Sequence, residues 1–118
     1  MAENLNGQLT EAHSLRIGGN YDDALVLYRQ VVEADPSVAE GWWGLGLVLM
    51  NTGEFDEAID VLAKSVELNE RPKFLLDLAK LQTMLGMDDE AKPVFERVVE
   101  LDPSSREADD ARNQLRYY

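Results

Sequence analysis

Few side chains in this sequence are equipped for chemistry. A single histidine, His13, has no acid spaced to orient it, so acid–base catalysis lacks its usual pair. Cysteine is absent, which excludes disulfides, thiolate metal sites and cysteine nucleophiles. The runs Asp22-Asp23, Asp56-Glu57 and Asp88-Asp89-Glu90 offer oxygens to calcium, but without the spaced ligands and central glycine of a calcium loop. Helix starts explain them, since negative charge favours the amino-terminal end of the helix dipole. Gly41, Gly44 and Gly46 echo a phosphate loop, yet no lysine follows. They read as sites of close helix approach, with Gly44 opening space beside Trp43. No nucleophile, base and orienting acid converge, so neither an enzyme, a cofactor nor a metal is expected.

The elements that position these residues must come from a small chain. Its 118 residues suit one core, and a single domain spanning 1–118 is expected. Apolar residues make up 45% and charged residues 29%, too apolar a balance for disorder. The formal net charge of −12 repels phosphate backbones and anionic headgroups. Nucleic acid and membrane are therefore not expected as partners. The longest apolar stretch, Trp42 to Met50, covers about half of what a membrane helix needs. The start, Met1-Ala2-Glu3-Asn4-Leu5-Asn6, has neither the basic stretch nor the apolar run of a secretory signal. A cytoplasmic location is the expectation.

A repeat organises the chain. Gly19-Asn20-Tyr21-Asp22-Asp23-Ala24, Gly53-Glu54-Phe55-Asp56-Glu57-Ala58 and Gly86-Met87-Asp88-Asp89-Glu90-Ala91 align, with the alanines 34 and then 33 residues apart. Past each alanine comes Asp35-Pro36, Asn69-Glu70 or Asp102-Pro103. The blocks are thus about 5–38, 39–71 and 72–105. Each reads as two helices. Trp42, Leu45, Gly46 and Leu49 recur at helical spacing, Gly53 ends that helix, and Ala58, Leu62 and Val66 form the next stripe. Proline stops the second helices of the first and third blocks. Ser104 or Ser105 caps a last helix, about 105–116, with Ala108, Ala111 and Leu115 on one face.

Period, glycine, small alanine and Asp-Pro together resemble the tetratricopeptide repeat, a helix–turn–helix unit. The resemblance covers about 101 of the 118 residues. The middle block is close, with Trp42, Leu45-Gly46, Leu49, Gly53, Phe55, Ala58 and Leu62 at signature positions. The third keeps Leu75, Leu78-Ala79, Gly86, Ala91, Phe95 and Pro103. It departs at Gln82, where a large apolar residue is expected, and at Pro93, which costs a backbone hydrogen bond unless its helix starts late. The first block keeps Ala12, Leu15, Tyr21, Ala24, Tyr28 and Pro36, but has Gln8 and Glu11 where Trp and Leu usually sit. The resemblance implies an all-α fold, an α-solenoid of three such units in a right-handed superhelix, with a seventh, capping helix.

It also implies a concave lining carried by the first helix of each block. The lining comprises Asn6, Leu9, Thr10, His13, Arg16 and Ile17, then Glu40, Trp43, Gly44, Leu47, Met50 and Asn51, then Lys73, Leu76, Asp77, Lys80, Thr83 and Met84. Arg16, Lys73 and Lys80 face Glu40 and Asp77 in sign, so the lining is nearly neutral. Leu9, Ile17, Trp43, Leu47, Met50, Leu76 and Met84 make it apolar. Family members that hold the acidic tail of heat-shock chaperones use lysines, asparagines and an arginine at set positions. Here Leu9, His13, Gly44 and Asp77 replace four of these and only Lys73 matches, which argues against that ligand.

The expected function is therefore an adaptor that binds a peptide or amphipathic helix of a partner protein. Trp43 is the expected exposed anchor, with Leu47, Met50, Leu76 and Met84 as walls and Arg16, Lys73 and Lys80 setting ligand polarity. Under this expectation Trp43→Ala keeps the helices and loses the partner. The alternatives are that Trp43, Leu47 and Met50 are core, and that the module self-associates, its groove receiving a helix of another copy. A monomer or weak homodimer is expected.

Overall fold

The computed structural model describes residues 2–118, with side chains from Leu5 onward. Met1, part of the leaderless start expected above, lies outside the described residues. The helices are α1 (Ala2–Ile17), α2 (Tyr21–Ala34), α3 (Ala39–Asn51), α4 (Phe55–Leu68), α5 (Pro72–Met84), α6 (Asp88–Leu101) and α7 (Arg106–Leu115). No strand forms among the described residues, and no helix there is long and apolar enough to cross a membrane. The chain divides into two compact units, one ending at Asn69 and holding α1–α4, the other running from Glu70 through α5–α7.

In the first unit the hairpins α1–α2 and α3–α4 turn at Gly19 and Gly53, both with φ +83°, a conformation that side chains disfavour. The acidic pairs open α2 and α4, as their charge requires. α2 ends at Ala34, one residue before Asp35-Pro36, because proline restricts its predecessor. Ala12, Ala24 and Ala58 are fully buried, and so are Tyr28, Val31, Val48 and Leu62. Small residues bring the helices together. A Cβ built on Gly46 would lie 2.6 Å from Leu62 Cγ and Cδ2, so only glycine allows α3 its approach to α4. Buried Ser65 satisfies itself by donating to the Leu62 carbonyl at 2.7 Å. Arg29 and Glu57 pair through two hydrogen bonds of 2.8 and 3.0 Å on the exposed side of α2 and α4. Their exposure limits the stabilisation to about 1 kcal/mol or less.

The second unit turns at Gly86, and its core holds Phe74, Leu81, Ala91, Phe95 and Val98. Ser105 caps α7, its Oγ accepting from the Ala108 backbone N–H at 3.0 Å. Ala108 and Ala111 are buried, and α7 packs on α6 and α5. Two flaws are built in. Pro93 lies inside α6, which begins at Asp88, so a late start does not avoid the lost hydrogen bond to the Asp89 carbonyl. Pro93→Ala at this exposed site is expected to stabilise by about 1–3 kcal/mol, read as a higher Tm. Gln82 occupies the place that Leu15 and Leu49 take in the other blocks. It is buried, and its Oε1 finds no hydrogen-bond donor. Gln82→Leu removes that orphan acceptor and is expected to add about 1–2 kcal/mol in denaturant unfolding.

Candidate functional site

In the first unit, α1 presents Leu9, His13, Arg16 and Ile17 on one stripe, and α3 presents Glu40, Trp43, Leu47 and Met50. The helical spacing of three and four residues sets both stripes. Side chains join them. His13 meets the Trp43 ring edge-on at 5.8 Å between centroids, and the Arg16 guanidinium lies 5.1 Å from the Trp43 ring centre. His13 Nε2 is 3.7 Å from a Glu40 carboxylate oxygen.

Behind both stripes stands Tyr28 of α2. Its ring fills the space over Gly44, where an added Cβ would come within 2.3 Å of Tyr28 Cε1. Gly44 thus opens space for Tyr28, rather than only beside Trp43. From there the Tyr28 hydroxyl accepts from Arg16 Nε at 3.0 Å and shares a hydrogen bond with His13 Nδ1. The hydroxyl oxygen, with one proton and two lone pairs, can meet both neighbours, while His13 Nε2 lies on the Glu40 side of the ring. Burial pushes the Tyr28 pKa up, while Arg16 draws it down. The hydroxyl stays neutral at pH 7 and can serve both neighbours.

The expected exposed anchor is therefore corrected. Trp43 retains only 9% of its exposure, and Arg16 and His13, both bonded to Tyr28, are among the side chains against its ring. Leu9 is buried too. Along these two stripes the apolar and cationic side chains that reach solvent are Ile17, 76% exposed, with Leu47, Met50 and Arg16 partly exposed. Tyr28 was absent from the expected lining. One signal marks it: the equivalent positions in the other blocks carry Leu62 and Phe95, so the first block alone places a hydroxyl there.

In the second unit, the α5 stripe holds Lys73, Leu76, Asp77, Lys80 and Met84. Leu76 is buried, whereas Met84 is 56% exposed. Lys80 does not stand ready to set ligand polarity. Its Nζ pairs with Asp110 of α7 at 2.6 Å. The Lys73 ammonium lies 5.7 Å from the Phe74 ring centre, and the Arg71 guanidinium 5.0 Å from it. Thr83 hydrogen-bonds the Tyr118 hydroxyl at 2.7 Å, and the Tyr118 ring leans on Phe95. Tyr118 is thus anchored at its hydroxyl and ring edge though still 38% exposed, while Tyr117 beside it is 87% exposed. Among the described residues, no group of three His, Asp or Glu side chains is arranged to hold a metal.

Comparison with known proteins bears on this arrangement. A family model described as tetratricopeptide repeat matches residues 9–73, and another of the same description matches 74–105. The DnaJ homolog subfamily C member 3 of Gallus gallus is 30% identical over 108 residues, 92% of this chain. The chain spans 22% of that relative's length. Among solved structures, the first tetratricopeptide domain of Spaghetti (RPAP3), bound to the HSP90 peptide SRMEEVD, superposes with a TM-score of 0.88. It is 24% identical, over 99% of this chain and 91% of that one. PcrH in complex with the chaperone-binding region of PopD gives 0.90 at 20% identity, over 99% and 92%. The expected all-α fold of helix–turn–helix repeats is what these likenesses and the helices themselves show.

Proposed function

The chain belongs to the tetratricopeptide repeat family, and on that premise we propose that it is a non-enzymatic adaptor taking a peptide or amphipathic helix of a partner protein. The observation that carries this reading is the α1–α3 face, where Ile17, Leu47 and Met50 present apolar surface beside Arg16. Apolar side chains at helical spacing suit a partner's aliphatic stripe, and methionine adapts to its shape. The peptide-bound states of the Spaghetti and PcrH structures support a peptide ligand. The charge of −12 supports partners other than nucleic acid or anionic membrane. We place the adaptor in the cytoplasm, as a monomer or weak homodimer until its ligand arrives.

The test is direct. Peptides selected from a random library on the whole chain are expected to bind Leu47→Asp/Met50→Asp at least about tenfold more weakly, since two charges would be desolvated. Circular dichroism should show unchanged helix. Val26→Asp, exposed on α2, should leave affinity as it was. Binding indifferent to the α3 pair would sink the reading. Self-association during sedimentation without peptide would favour pairing of copies instead.

A further inference from the structure

Arg16 is fixed before any ligand arrives. Its Nε donates to the Tyr28 hydroxyl at 3.0 Å, and its guanidinium lies 5.1 Å from the Trp43 ring centre. Tyr28 is fully buried, seated over Gly44, and shares its hydroxyl with His13. One edge of the guanidinium is thereby tied to the core, and its central carbon lies over an indole. The terminal nitrogens, Nη1 and Nη2, make no hydrogen bond or ion pair among the described residues, and the side chain is partly exposed. A planar fork with its terminal pair open matches a carboxylate through two parallel hydrogen bonds. Because the side chain is already ordered, that ordering cost does not fall on binding.

The surroundings narrow the ligand further. Ile17 follows Arg16 and is well exposed, while Leu47 and Met50 continue the Trp43 stripe. The fork is thus a single cationic point on largely apolar stripes. Glu40 shares the α3 stripe, and the chain as a whole carries −12. A ligand with several negative charges would meet that repulsion, and one with a single charge would meet it least. We infer that Arg16 is a specificity residue for one side-chain carboxylate, Asp or Glu, in an otherwise apolar and uncharged partner segment. Tyr28 is its positioning residue. The inference rests on the adaptor reading and adds the ligand's chemistry to it.

The experiment screens a random library of acetylated, amidated short peptides, so that chain termini contribute no charge, on the whole protein. Enriched peptides are expected to carry one Asp or Glu beside Leu, Ile or Met. Replacing that acid by its amide should weaken binding about tenfold, as loss of a charge-assisted pair does. Arg16→Gln should erase the preference for acid over amide, and Arg16→Lys should keep only part of it. Tyr28→Phe should shrink the preference while leaving affinity for the amide peptide unchanged, a split that general loosening of the core does not produce. If Arg16→Gln fails to fold, the acid–amide pair on the wild type and on Arg16→Lys decides the matter. Enriched peptides with no acid, several acids or a phosphate requirement would overturn the inference, as would equal binding of acid and amide. In each of those cases the adaptor reading stands if Leu47→Asp/Met50→Asp still weakens capture about tenfold or more. A screen that enriches nothing overturns both.

Discussion

Gly44→Ala is expected to destabilise the protein by about 3 kcal/mol, the cost of overpacking a filled interior. The new methyl would lie 2.3 Å from Tyr28 Cε1 and 2.7 Å from its hydroxyl oxygen, against a ring with no exposed surface. Tyr28 has nowhere to retreat, since its hydroxyl is held by Arg16 and His13. The measurement is a thermal or urea melt, with Tm lowered by more than ~10 °C at this size. Gly7→Ala is the matched control. Its added Cβ meets nothing within 4 Å, and it lies within α1, so helix propensity should raise stability by about 0.5–1 kcal/mol. Equal effects at the two glycines would refute the packing argument.

Trp43→Ala is the second large effect, expected at about 3–5 kcal/mol in the free protein, as for a buried aromatic side chain. Its ring lies against the Arg16 guanidinium and the His13 ring, so truncation leaves a cavity and removes one support from both side chains. Intact helices with a lost partner, the outcome expected from sequence, require the indole at the surface. At 9% exposure, lost packing comes first. Trp42→Phe gives the comparison. Trp42 is only partly buried, and its Nε1 donates to the Pro36 carbonyl at 2.8 Å, a hydrogen bond worth about 1 kcal/mol. A denaturation midpoint that falls far more for position 43 than for 42 supports this account. The reverse order would contradict it.

Much of the fold is legible along the chain because its causes are local. Gly19, Gly53 and Gly86 all take the positive φ that a tight turn demands, and the three acidic runs all open helices. Asp35-Pro36 and Asp102-Pro103 end helices where expected. Ser105 rather than Ser104 became the cap, a choice of one residue that depends on backbone geometry. Pro93 sits inside its helix because burial of Ala91, Phe95 and Val98 on the same helix outweighs one missing hydrogen bond.

The candidate site was legible only as a set of positions. Helical period put Arg16, Trp43, Leu47 and Met50 on lining stripes, but could not rank them by exposure. Lys80 illustrates why: its charge is met by Asp110, a residue of α7 far away in sequence. Residue types and their spacing by themselves determined the paired helices, the turns and the caps, since each depends on neighbours within a turn or two. The tertiary structure alone decided which lining side chains reach water. Trp43 lies under Arg16 because Tyr28, on a third helix, passes over Gly44 to hold that arginine, and such a three-helix contact follows from packing rather than from period.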